Sequence, residues 1–173
     1  MKRAGWAGAL VVVMFASAAG STTARTTRED YLPDAAGSKI VTVSPSGEAR
    51  SELVVMTQAL VTKEAGPRRA LRAFGETYAF LPSTLVVRAE EPTRVTFWNL
   101  QDDDVHDFML ADAKGDVLMR VTLPPLRRTS WVFTFHRAGL LHFYCTMHQP
   151  EMSGQVVVLP SEPGPSGSGA RGR

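Results

Sequence analysis

The chain has 173 residues, room for one domain with tails and too little for two of ordinary size. Nineteen Lys and Arg against 17 Asp and Glu give a formal charge of +2, which argues against a nucleic-acid-binding protein driven by a basic surface. Apolar residues make up 44% of the chain, so a core can form, while the lone cysteine, Cys145, excludes an internal disulfide and a four-cysteine zinc site.

Residues 1–18 read as an export signal. Met1, Lys2 and Arg3 start it with positive charge, residues 7–16 are almost wholly apolar, and Ala16-Ser17-Ala18 offers small residues for cleavage. The apolar stretch falls short of the roughly 20 residues that span a bilayer, so no stable membrane span is expected after cleavage, and the product is expected in the periplasm or outside the cell. Cleavage removes Lys2 and Arg3 and no acid, leaving 17 basic and 17 acidic residues.

Residues 19–66 read as a leader and N-terminal extension. The part up to Lys39 is Ser, Thr, Ala and charge without an apolar period, and is expected to be flexible. Residues 40–43 and 51–62 are apolar enough to be ordered, but Leu53-Val54-Val55-Met56 suits either a strand or a short helix.

Over residues 67–160 the pattern changes to short runs rich in β-branched and aromatic residues: 85–87, 95–98, 119–123, 131–135, 140–144 and 156–159. Breakers separate them, among them Pro92, Lys114-Gly115-Asp116, Pro124-Pro125, Gly139 and Ser153-Gly154. No useful helical period and no repeat is visible. The spacing predicts an all-β sandwich or small barrel. Of the last fourteen residues ten are Pro, Gly or Ser, so 161–173 is expected to be a disordered tail.

The chemistry concentrates in Tyr144-Cys145-Thr146-Met147-His148-Gln149-Pro150-Glu151-Met152, which puts a thiol, an imidazole and a thioether within eight residues between two strands. A tight loop containing Pro150 can turn all three toward one point. A fourth donor has to come from elsewhere, and His106, just past the strand that ends near Trp98, is the best candidate. Two imidazoles, a thiolate and a thioether favour copper by softness; two histidines and one cysteine in a plane with a weak axial Met are a blue-copper arrangement. Zinc seldom takes a thioether and would need Glu151 or water instead.

These residues resemble the cupredoxin family, the single-domain blue copper proteins. The matching features are Asn99 followed by a loop ending in His106, the Tyr-Cys-x-x-His-x-x-x-Met motif from Tyr144 to Met152, and the closing Ser-Gly-Gln-Val-Val-Val strand. The segment starting at Tyr78-Ala79-Phe80-Leu81-Pro82 also resembles the copper domain of cytochrome oxidase subunit II, whose binuclear centre is bridged by two cysteines; one cysteine here leaves only a mononuclear site. The resemblance covers Tyr78 to Leu159. It implies a Greek-key β-sandwich holding one Cu(I)/Cu(II) ion with His106, Cys145 and His148 in the plane and Met152 axial. It also implies electron exchange with redox proteins such as a cytochrome or oxidase through the His148 edge, beside an apolar patch for which Met147, Pro150 and Leu100 are candidates. Such a carrier transforms no substrate and is not itself an enzyme. Asp107 departs from the Asn that plastocyanin-type proteins often carry, and with Asp102 to Asp104 it is expected to lower the reduction potential.

Plainer readings stand beside these. A lone cysteine is commonly a buried apolar residue, although an unpaired thiol in an oxidising compartment is a liability unless metallated. His148 could activate Cys145 as a nucleophile, but no oxyanion-hole pattern accompanies them. His106 could be structural. His142 is expected to face outward, because Leu141, Phe143 and Cys145 share the other face, and His136 to be solvated. Met56 and Met119 read as core. Seven methionines raise the alternative of a periplasmic copper carrier or oxidase assembly factor, though Met109, Met147 and Met152 alone lie near the motif.

Overall fold

A computed structural model describes residues 30–33 and 38–162. The expected export signal at 1–18 and most of the expected tail at 161–173 lie outside them. The described residues form ten strands and one short helix: β1 (Val41–Ser44), β2 (Ser51–Val61), α1 (Arg68–Phe74), β3 (Thr77–Leu81), β4 (Thr84–Arg88), β5 (Thr93–Asn99), β6 (His106–Ala111), β7 (Val117–Leu123), β8 (Arg128–Phe135), β9 (Gly139–Tyr144) and β10 (Ser153–Leu159). They make two five-stranded sheets in the orders β1-β8-β5-β2-β3 and β4-β10-β9-β6-β7. Most pairings are antiparallel, while β2 with β5 and β4 with β10 run parallel.

The all-β sandwich expected from the sequence is present, and each of the six predicted runs is a strand. The undecided segment before residue 67 is also resolved. β1 and β2 are strands, and β2 lies inside its sheet between β5 and β3, so the sandwich begins upstream of residue 67. Tertiary pairing decides between strand and helix there: Val55 and Thr57 are buried while Val54 and Gln58 are exposed, the period-2 alternation of a half-buried strand. The helix α1 buries none of its side chains.

Part of the predicted flexible leader is also docked. Tyr31 pairs with Arg120 on the edge strand β7, its N–H donating to the Arg120 carbonyl at 2.9 Å, and Asp30 Oδ1 accepts the Thr122 N–H at 2.7 Å. An edge strand presents unpaired backbone groups, and this short segment satisfies them.

Between the sheets lies an aromatic core. Phe108 is its hub, with ring centroids 4.7 Å from Phe97, 4.9 Å from Phe143, 5.9 Å from Phe80 and 6.3 Å from Phe133, separations at which tilted and edge-on rings attract. Met119 is buried in this core as expected, whereas Met56 sits half-buried on the outer face of β2. His142 is exposed as expected. His136 differs from expectation: its side chain is 29% exposed and meets Glu90 at 3.2 Å and Thr42 at 3.3 Å.

Gly154 tests this packing. A Cβ added there would fall 2.2 Å from the Ser83 carbonyl oxygen and 2.4 Å from Phe143 Cζ. Gly154→Ala is therefore expected to lower folding stability by about 1–3 kcal/mol, as overpacking does, measured by urea denaturation.

Candidate metal centre

Strand alternation delivers the donors. On β9, Leu141 and Phe143 point inward, and the next inward position, just past the strand, is Cys145, fully buried. On β6, His106 and Phe108 point inward, and His106 is likewise fully buried. Beyond Cys145 the chain turns back on itself: the Cys145 N–H donates to the Met152 carbonyl and the Met152 N–H to the His148 carbonyl, both at 2.9 Å. His148 is thereby brought above Cys145, and Met152 is fully buried at the base of the same loop.

Three donor atoms meet. His106 Nδ1 lies 3.1 Å from His148 Nδ1, and Cys145 Sγ lies 3.8 Å from the first and 3.6 Å from the second. Metal bonds of about 2.0 Å to nitrogen and about 2.3 Å to sulfur, spread at angles between tetrahedral and trigonal, separate donors by roughly 3.3–3.7 Å. The triangle's sides of 3.1, 3.6 and 3.8 Å lie close to that range, the nitrogen pair a little tighter, and these three residues could hold one metal ion.

A second layer sets the chemistry of each donor. His106 Nε2 lies 2.9 Å from Gln101 Oε1. An amide oxygen accepts only, so Nε2 carries the proton and the Nδ1 lone pair faces the centre. The Thr57 hydroxyl is 2.5 Å from Gln101 Oε1 and 2.9 Å from Asn99 Oδ1, donating to one at a time. The Asn99 amide donates to the carbonyls of Asp104 and Leu123 at 2.8 and 2.9 Å, pinning the loop that carries His106. Burial, with the neighbouring His148 second, pushes the His106 pKa down to about 4, against a smaller opposing pull from Asp104 and Asp107. The imidazole is therefore neutral at neutral pH. Burial pushes the Cys145 thiol up, opposed by backbone N–H groups of Asp107 and Met147 that favour the thiolate. A metal binding there has to displace that proton.

Two further side chains complete the surroundings. Asp107 is fully buried and its carboxylate accepts from the Thr146 N–H at 2.7 Å, the Thr146 hydroxyl at 2.5 Å and Arg120 Nε at 2.7 Å. Its charge is thus countered by Arg120, which qualifies the expectation that Asp107 acts on the centre as a bare negative charge. Tyr78, buried on β3, places its ring against both imidazoles and donates its hydroxyl to Asp104 Oδ2. Burial and the hydrogen bond to Asp104 raise the phenol's pKa, so it stays protonated.

No protein-family model matches the chain, and no curated protein matches it in sequence. Among solved structures, auracyanin B aligns at a TM-score of 0.50 with 14% identity, covering 71% of this chain and 100% of its own. The chain has a cupredoxin-like fold. Auracyanin A, a "blue" copper protein from Chloroflexus aurantiacus, aligns at 0.45 with 16% identity over 62% of this chain and 97% of its own. Amicyanin from Paracoccus versutus aligns at 0.44 with 19% identity over 70% and 99%.

Within this cupredoxin-like fold the structure brings together three of the four donors expected from sequence, His106, Cys145 and His148, and buries the fourth, Met152, whose backbone hydrogen-bonds to Cys145 and His148. Reading the sequence missed Gln101 and Thr57 as partners of the centre and gave Asp104 only as a nearby charge, because these hydrogen bonds depend on how the loop before His106 folds against β2 and β3. Tyr78 had a signal, since it opens the segment resembling other copper domains.

The lowered pKa of His106 has a measurable consequence. Between its ordinary value of 6.5 and about 4 the unfolded chain binds a proton at this site that the folded chain does not. Stability of the metal-free protein is therefore expected to fall as pH drops through that window. Urea denaturation at about pH 7 and about pH 5 checks this, with a smaller loss expected in His106→Asn.

Proposed function

We propose that this protein is an exported, mononuclear copper protein that carries single electrons between redox partners. The convergence of His106 Nδ1, His148 Nδ1 and Cys145 Sγ at 3.1–3.8 Å is the observation that carries the reading. His106, Cys145 and His148 would hold copper, with Met152 as a fourth and softer donor, a set that suits Cu(I) and Cu(II) alike. Bound copper would supply a one-electron couple.

The chain's own residues supply the rest. Gln101 keeps the His106 lone pair directed at the centre, and burial keeps that imidazole neutral. Backbone N–H groups of Asp107 and Met147 receive the Cys145 thiolate. The surrounding sandwich excludes water from His106, Cys145 and Met152 and leaves His148 partly exposed as the contact edge. Leu100 and Met147, 51% and 50% exposed, supply apolar surface for a partner. Export to the periplasm or beyond, signalled by residues 1–18, places the protein where such partners, a cytochrome or an oxidase, operate. The methionines favour electron transfer over a metallochaperone role, since of the three near the motif Met152 is fully buried, Met109 is half-buried and Met147 alone is exposed, which is no Met-rich surface.

Purified mature protein loaded with Cu(II) is expected to show an intense visible thiolate-to-copper charge-transfer band, abolished in Cys145→Ser. A colourless wild-type protein, or an unchanged spectrum in Cys145→Ser, overturns the reading. In Arg120→Gln the Asp107 carboxylate loses its counter-charge and stabilises the more positive Cu(II), so redox titration is expected to give a lower potential than wild type.

A further inference from the structure

We propose that Tyr78 is a positioning residue for His148, its ring holding that imidazole at the metal centre while its hydroxyl is anchored on Asp104; the inference rests on the copper reading above. Three rings meet at this end of the sandwich, with centroids 4.5 Å apart for Tyr78 and His148, 4.8 Å for His106 and His148, and 5.0 Å for Tyr78 and His106. Contacts at these separations restrain all three rings.

The two histidines need this restraint unequally. His106 starts a strand, is fully buried and is fixed through Nε2 by Gln101. His148 stands in the loop after Cys145 and is partly exposed. Among the described residues, the polar contacts of its ring are with the other two donors, His106 Nδ1 and Cys145 Sγ. A hydrogen bond to the second nitrogen is the usual means of orienting a metal-binding imidazole. For His148 the ring of Tyr78 takes that role.

Tyr78 is suited to it because it is itself immobilised. It lies on β3, is 2% exposed, and its hydroxyl donates to Asp104 in the loop leading to His106. It comes from the sheet opposite β6 and β9, so it closes the centre from the side that the other donors leave open. Beyond it, a cavity of about 610 Å³ is lined by Tyr78, Gln101 and the acids Glu76 and Asp102 to Asp104. The ring therefore also separates the imidazoles from a polar, water-accessible space. A smaller side chain would release His148 and admit water beside it.

The test compares wild type with Tyr78→Leu, Tyr78→Phe and Asp104→Ala in the full mature chain, using Cu(II) alone as the probe. Tyr78→Leu is expected to shift or weaken the visible band and to speed copper release to a chelator by about tenfold, the scale of losing an orienting partner. Tyr78→Phe keeps the ring and is expected to keep the band, with a smaller acceleration matched by Asp104→Ala and not increased in the double variant. In the metal-free protein, the NMR resonances of the His148 ring are expected to lose the Tyr78 ring-current shift in Tyr78→Leu. If Tyr78→Leu keeps the wild-type band and release rate and lowers only the melting temperature, the residue is merely structural and the proposal falls. If Tyr78→Leu does not fold, wild-type release rates in both Tyr78→Phe and Asp104→Ala overturn it instead. A wild-type protein that shows no charge-transfer band sinks the copper reading, whereas unaltered His148 resonances in Tyr78→Leu sink this one.

Discussion

A buried carboxylate holds the candidate centre together. In the register of β6 against β9, Met109 faces Tyr144 and Leu110 faces Phe143, so Asp107 falls level with Thr146, just where β9 has ended. No backbone ladder bond exists there, and the Asp107 side chain supplies the missing acceptor, taking both the Thr146 N–H and its hydroxyl. Thr146 follows Cys145 directly. Holding it fixes where the thiol points, and Arg120 on β7 offsets the charge that would otherwise make burial of the acid unfavourable. The same Arg120 backbone pairs with Tyr31, so the segment before the sandwich braces the strand that braces the centre.

The rest of the centre is arranged around that point by short-range forces of different kinds. Phe108 and Phe143 sit one inward position below His106 and Cys145, so the aromatic core is also the floor of the site. A floor of interlocked rings resists displacement of the donors above it. Hydrogen bonds from Gln101, Thr57 and Asn99 then orient His106, while ring packing by Tyr78 orients His148. The two imidazoles reach the same point by different means, one as a strand residue and one as a loop residue.

Much of the fold was legible because β-strands write their burial into the sequence with period 2. Met119-Arg120-Val121-Thr122-Leu123 alternates cleanly and is β7. β6 was not read as a strand, since His106, Asp107 and Phe108 are all buried and the alternation is hidden by a charge turned toward Arg120 and Thr146. β2 stayed undecided because a short apolar run suits a helix as well as a strand; pairing with β5 and β3 settles it. The docking of Asp30 and Tyr31 on β7 had no signature either, as a polar segment that completes an edge looks like any other polar segment.

The donor types and their spacing belong to the sequence itself. One thiol three residues before an imidazole and seven before a thioether, between two strands, is a donor pattern that favours copper by softness before any coordinate is known. The tertiary structure decided what spacing along the chain cannot express: that Nδ1 rather than Nε2 of His106 faces the centre, that the Asp107 charge is matched by Arg120, and that Tyr78 stands against His148. Each of these depends on atoms from strands and loops far apart in sequence meeting within a few ångströms, and only the packing of the two sheets brings them there.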